Sequence, residues 1–281
     1  MGATGSSAAS AMTDACLPEI VLIHGWACPA SYWNPLLADL ARRGLRARAV
    51  TLPGYDGDWS GAAEAWTTAG AAEAVARLHQ NSPSAARRER VLVVGHSLGG
   101  TVAAQLTATR PELVAGLVLV GMVPVPPADA TRRRLTGLFG SLGLVPPMPP
   151  ARAAIEACIA GWYGEASLDP TFRADVEAAF ALPPAVLYGS LIAALDGVAP
   201  EVECQITAPT AVVLGARDLT REPREITTFM ERHPAWRLES VERAGHMVHW
   251  ERPEVCGDVI ARLTRDASSE ASPRPEAPTR E

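Results

Sequence analysis

The stretch Val91-Leu92-Val93-Val94-Gly95-His96-Ser97-Leu98-Gly99-Gly100 decides the fold. Four apolar residues, three of them valine, run into a glycine. A G-x-S-x-G pattern follows, and then the helix-compatible Thr101-Val-Ala-Ala-Gln-Leu. A strand that passes directly into a helix around a serine forms a strained turn and lifts the hydroxyl clear of the sheet. Flanking glycines let neighbouring backbone pass close by. The helix start then presents its partial positive charge where negative charge would develop during attack on a carbonyl. The bland alternative is a serine N-cap on a glycine-containing helix, so the reading rests on what surrounds the motif.

Outward from this stretch, short apolar runs alternate with helical patterns. Strands are expected at Glu19–His24, Arg46–Thr51, Arg90–Gly95, Gly116–Gly121, Thr210–Gly215 and Arg237–Val241. Helices are expected at Tyr32–Arg43, Ala62–His79, Leu98–Arg110, Pro223–Arg232 and Pro253–Arg265. Apolar runs without strict alternation suit strands covered on both faces, and strand–helix alternation implies a doubly wound, mostly parallel α/β sheet. Between Gly121 and Pro209 the rhythm stops. Prolines 124, 126, 127, 146, 147, 149 and 150 separate short helical stretches. Residues 122–200 therefore read as a helical cap inserted at the carboxyl edge of the sheet, where such sheets bind ligands. The core is expected over 18–121 and 201–265. The small, polar 1–17 and the Ser/Pro/Glu-rich 266–281 are expected to be disordered tails.

Three further motifs complete the chemistry. Ile20-Val-Leu-Ile-His24-Gly25-Trp26 closes the first strand, and its loop would supply a main-chain N–H, that of Trp26, to pair with the N–H of Leu98 as an oxyanion hole. His24 reads as a brace of that loop, because a better base exists. Val212-Val-Leu-Gly215-Ala-Arg-Asp218 places an acid just past a strand. On its own Asp218 could equally cap the helix near Pro223. Ala244-Gly245-His246 follows the last strand. His249, three residues on, competes with it, but His246 follows the glycine directly. The chain order Ser97, Asp218, His246 gives nucleophile, acid and base in the sequence that this type of fold uses. Leu98, Trp26 and Met122 lie beside these motifs and are the expected substrate contacts. Phe139 in the cap would line the same space or the cap's own small core.

Composition narrows the function classes. The chain has 281 residues and a formal charge of −6, which argues against nucleic acid as a partner. No apolar run is long enough to span a membrane, and the first residues lack the pattern of a secretory signal. Five widely spaced cysteines with no CxxC pair suit a reducing, cytoplasmic setting and give no metal site. No metal or cofactor is expected. All 25 basic residues are arginine.

HGW, LPGY at Leu52–Tyr55, GHSLGG, GARD and GHMVHWERPE together resemble the α/β-hydrolase superfamily over about 18–265. Within it, the HGW and GHSLGG pair with a helical cap resembles the carboxylesterases that hydrolyse pimeloyl-ACP methyl ester in biotin synthesis. It also resembles the methyl-esterase and hydroxynitrile-lyase group. The resemblance implies a serine carboxylesterase acting on a small-molecule or carrier-bound acyl ester. It also implies that cap arginines, here Arg132 and Arg152, meet the substrate or an acyl-carrier protein. A thioesterase, lactonase or cyclase would use the same three residues. Hydroxynitrile lyases tend to carry a cap lysine, which this chain lacks. Many of the biotin-pathway enzymes have Trp before the nucleophile, where this chain has His96.

Overall fold

The structure is a computed structural model. It describes residues 17–57, 66–83, 89–127, 129–130, 132–133, 152–162 and 170–271. Its elements in chain order are β1 (Ile20–Ile23), α1 (Asn34–Arg42), β2 (Ala47–Val50), α2 (Thr68–Gln80), β3 (Val91–His96), α3 (Leu98–Thr109), β4 (Val114–Val120), α4 (Arg152–Trp162), α5 (Pro170–Ala179), α6 (Pro184–Asp196), α7 (Pro200–Glu203), β5 (Thr210–Gly215), α8 (Pro223–Arg232), β6 (Arg237–Val241), α9 (Val248–Glu251) and α10 (Pro253–Ala271). All six strands pair in parallel, in the order β2-β1-β3-β4-β5-β6. This is the α/β-hydrolase fold, without an antiparallel hairpin ahead of β1 among the described residues.

The strand sequences explain their places. β1, β3, β4 and β5 are buried at every position, as strands with helices on both faces must be. β2 and β6 form the two edges, and there arginine, serine and glutamate leave residues partly or fully exposed. The chain starts at β1, winds outward to β2, then returns to the other side of β1 as β3. The winding direction therefore reverses between β1 and β3, whose carboxyl ends register at Ile23 and Gly95. That crevice is where open parallel sheets hold ligands.

α3 fits against this crevice because its first turn has no side chains in the way. A Cβ on Gly95 would run into the Gly99 carbonyl, and a Cβ on Gly99 into the Ile23 and His24 carbonyls. Only glycine lets β1, β3 and the helix start approach this closely. On the opposite face, α1 is tied to α10 by Arg43, whose Nε bonds Asp39 and whose Nη1 bonds Asp258, both at 2.5 Å.

Two helix boundaries differ markedly from the sequence expectation. α2 begins at Thr68, because Thr67 is extended and its hydroxyl caps the Gly70 N–H at 3.1 Å. α10 runs past 265 to Ala271, held by burial of Ala267 and by an Arg237–Asp266 ion pair at 2.8 Å. Within 122–200 the described residues form helices α4, α5 and α6 and the start of α7. Residues 1–16 and 272–281, expected as tails, lie outside the described residues. No described helix is long and apolar enough to cross a membrane.

Candidate active site

A cavity of about 430 Å³ opens between the carboxyl ends of the strands and the cap. Trp26, Ser97, Met122, Thr220, Arg221 and His246 line it from the core side. Trp162 of α4 and Leu191 and Leu195 of α6 line it from the cap.

Ser97 stands at the turn between β3 and α3 with φ 51° and ψ −119°. A non-glycine residue held in this region stores about 1–3 kcal/mol of strain. The surrounding bonds impose it: the Ser97 N–H donates to Val120 O at 3.0 Å, and Ser97 O accepts from Gly100 N at 2.8 Å. The Leu98 N–H opens the helix, so it has no acceptor in a preceding turn. Leu98 itself is fully buried, which puts its side chain in the core; only its main chain stands at the site.

His246 and Asp218 come from the loops after β6 and β5. The imidazole Nδ1 lies 2.8 Å from Asp218 Oδ2 and 3.3 Å from Thr220 Oγ1. A carboxylate can only accept, so Nδ1 carries the proton and Nε2 keeps a lone pair. Asp218 Oδ1 accepts the Thr220 N–H at 2.8 Å. Burial pushes the Asp218 carboxyl upward. The charge and hydrogen bond of His246, with the Thr220 contacts, outweigh it and hold the group below its ordinary value. The loops can meet because Gly121, at φ 66°, leaves room: a Cβ there would stand 2.8 Å from His246 O. The other candidate, His249, has different surroundings. His249 is fully buried against Tyr32, Trp33 and His96, with ring centroids 4.3–4.5 Å away, and neither ring nitrogen has a hydrogen-bond partner among the described residues. Burial drives its pKa well down, so it is neutral.

Behind the site runs a chain of hydrogen bonds. His96 Nε2 lies 3.0 Å from His246 O, which can only accept, so Nε2 is protonated. His96 Nδ1 is then an acceptor for the Tyr32 hydroxyl at 3.0 Å, and that oxygen accepts the Gly25 N–H at 2.7 Å. This chain joins the Gly25–Trp26 loop to the main chain of His246. His96 is neutral: burial lowers its pKa first, and the neighbouring His246 adds to this. His24 is the brace that the sequence suggests. Its Nε2 accepts the Leu52 N–H at 2.9 Å, so Nδ1 donates to Gly25 O at 2.9 Å, and burial lowers its pKa to about 4.

The expected substrate contacts divide. Trp26 and Met122 line the cavity. The Trp26 indole N–H is committed to the cap, donating to Leu187 O at 2.8 Å, and its ring stands edge-on to Phe180. Arg132 does not line the cavity; it bonds Leu195 O at 2.8 Å and Asp196 at 2.7 Å, because α6 offers a carboxylate beside its carboxyl end. Arg152 opens α4, but its side chain, like the whole of Phe139, lies outside the described residues. Tyr32, Thr220 and Arg221 had no signal in the sequence. Tyr32 reads as an apolar helix start, and Thr220 and Arg221 follow Asp218 in an irregular loop. No group of histidine, cysteine or acidic residues that would hold a metal occurs among the described residues.

Over 260 residues the chain is 27% identical to a protein of Aromatoleum aromaticum named pimeloyl-[acyl-carrier protein] methyl ester esterase, covering 88% of this chain and 98% of that one. A protein of the same name from Yersinia pseudotuberculosis is 33% identical over 106 residues, a match that spans 38% of this chain and 37% of the relative. An esterase from Exiguobacterium antarcticum superposes with a TM-score of 0.74 at 18% identity, over 88% of this chain and 92% of that one. The model of the alpha/beta hydrolase family matches residues 20–259, and the chain belongs to that family.

Proposed function

We propose that the protein is a serine carboxylesterase that hydrolyses a carboxylic ester, in first place a methyl ester of a linear acyl chain. The observation that carries this reading is the convergence of Ser97, on its strained turn, with the Asp218–His246 pair at one apolar cavity. Ser97 Oγ attacks the ester carbonyl while its proton passes to His246 Nε2. Asp218 holds the imidazole and stabilises the imidazolium. The N–H groups of Trp26 and Leu98 take the oxyanion, each worth about 3 kcal/mol of barrier. The C–O bond breaks and the alcohol leaves with the His246 proton. Water, deprotonated by the same histidine, then releases the acid.

A cavity with mostly apolar walls suits an acyl chain, and the names of the relatives favour a methyl ester. An acyl-carrier protein as the bearer of that chain is part of the proposal. The described cap arginines give it little support, since Arg132 pairs with Asp196, and Arg173 with Glu156 and Glu177. The cytoplasm is the proposed location, where the free thiols of Cys28, Cys204 and Cys256 stay reduced.

The test is turnover of methyl esters of graded acyl length, free and carrier-bound, beside thioesters and lactones. Ester turnover should dominate, and Ser97→Ala should lower it by about 10³-fold or more while leaving the fold intact. A fluorophosphonate should label Ser97. Near-normal turnover in Ser97→Ala overturns the reading, and a preference for thioesters or lactones moves the substrate class.

A further inference from the structure

Arg221 lies three residues beyond Asp218, on the loop between β5 and α8, and it lines the cavity. It is the one permanently charged side chain among the described residues lining that space. It is more than nine-tenths buried, with 8% of its surface exposed. Its Nη2 donates to Val123 O at 3.2 Å and to Val125 O at 2.7 Å, which fixes the guanidinium against the segment leading into the cap. Its Nη1 is buried and has no hydrogen-bond partner among the described residues. No carboxylate bonds it among the described residues; Glu225 and Asp218 act on it only through space. Burial lowers its pKa to about 10, so it stays cationic at neutral pH.

A buried cation with a spare donor is costly, and a partner that brings a negative charge relieves the cost. Guanidinium matches the geometry of carboxylate oxygens better than any other side chain does. The remaining wall of the cavity is apolar or neutral, so it would hold a hydrocarbon body but not that charge. Bracing of the Val123–Val125 main chain accounts for Nη2 but leaves Nη1 and the net charge unexplained.

We infer that Arg221 is a specificity-determining residue that binds a carboxylate carried by the substrate, so that the preferred esters are half-esters of dicarboxylic acids rather than esters of simple fatty acids. This rests on the ester-hydrolase reading and applies to acyl groups free of a carrier, because a second carboxyl joined to a carrier as a thioester carries no charge for Arg221 to bind.

The experiment compares the monomethyl ester of a linear dicarboxylic acid with the methyl ester of the monocarboxylic acid of equal length. In the wild type the half-ester should win in kcat/KM by about tenfold or more, chiefly through KM. In Arg221→Gln that ratio should fall to about one, and Arg221→Lys should keep part of it. Should Arg221→Gln fail to fold, inhibition of the wild type decides. Linear monocarboxylates should inhibit neutral-ester turnover competitively and about tenfold more strongly than the matching primary amides. A wild-type ratio near one, an unchanged ratio in Arg221→Gln, or equal inhibition by acid and amide overturns the inference. Failure of the ester reading itself looks different: neither ester turns over and Ser97 is not labelled. Calorimetry with the dicarboxylate would then still detect binding to wild type and its loss in Arg221→Gln.

Discussion

His246 Nδ1 and Asp218 Oδ2 stand 2.8 Å apart, with 7% and 4% of their side-chain surfaces exposed. So little water reaches this hydrogen bond that it fixes the imidazole tautomer almost alone. Asp218→Asn keeps the shape but presents an amide that can donate to Nδ1. That stabilises the tautomer with the proton on Nε2, which cannot accept from Ser97. The expected result is a fall in kcat of roughly 10³–10⁴-fold with little change in KM. Steady-state kinetics checks it, and a loss confined to KM would separate Asp218 from the chemistry.

The Gly25–Tyr32–His96–His246 hydrogen bonds couple the loop after β1, the proposed oxyanion loop, to the histidine loop. Tyr32→Phe removes the acceptor for the Gly25 N–H and the donor to His96 in one step. With Tyr32 fully buried, no water replaces it. The cost should be about 1–3 kcal/mol of stability, and kcat should drop by about tenfold as the Trp26 N–H loses its position. Thermal melts and kinetics on a small ester test both. A destabilised variant with unaltered kcat would show that the bonds serve only the fold.

Most of this arrangement was legible in the chain, and what escaped is instructive. The six strands and the helices after Ser97 and Pro223 announce themselves because inner strands must be apolar and because glycine and proline punctuate them locally. Ser97 was legible for the same reason, since it directly follows β3, and Asp218 and His246 because they come three and five residues after β5 and β6 end. Arg221 was not. It lies in a loop, and its burial depends on Val123 and Val125, about a hundred residues away in the chain. The overrun of α10 to Ala271 likewise depends on remote partners: Ala267 is buried and Asp266 meets Arg237. A composition of Ser, Ala and Glu reads as a loose tail unless those contacts are known. That Arg132 pairs with Asp196 was likewise hidden, because the sequence does not reveal that the end of α6 lies beside it.

The buried histidines set an acid limit on stability. His24, His96 and His249 are all fully or almost fully buried, and burial lowers the pKa of each, that of His24 from 6.5 to about 4. In the unfolded chain they take up protons near pH 6.5, whereas the folded protein resists doing so. The unfolded state therefore binds more protons below that pH. Stability is fully present above about pH 7 and is lost as the pH falls through 6.5 toward 4, with His24 alone giving up about 3 kcal/mol. The depressed Asp218 adds a further loss of the same sign at lower pH. Unfolding midpoints in denaturant between pH 8 and 4.5 should be flat and then fall steeply, and His24→Gln should soften the fall. A midpoint that does not move between pH 7 and 5 would contradict the burial of these rings as neutral species.

Trp26 joins core to cap, since its indole donates to Leu187 O at 2.8 Å and its ring meets Phe180, which stacks on Trp162. Trp26→Phe keeps an aromatic ring and loses only the donor. Leu187 O also accepts from the Ser190 hydroxyl at 3.3 Å, so the acceptor is not orphaned and the stability cost should stay near 1 kcal/mol. The functional cost should depend on substrate length. A short acyl group touches the core side of the cavity, whereas a long one also needs α4 and α6 held in place over it. KM should therefore rise several-fold for long-chain esters and change little for short ones, and hydrogen exchange should quicken in residues 184–196. A uniform effect across chain lengths would mean that the indole bond orders the oxyanion loop rather than the cap.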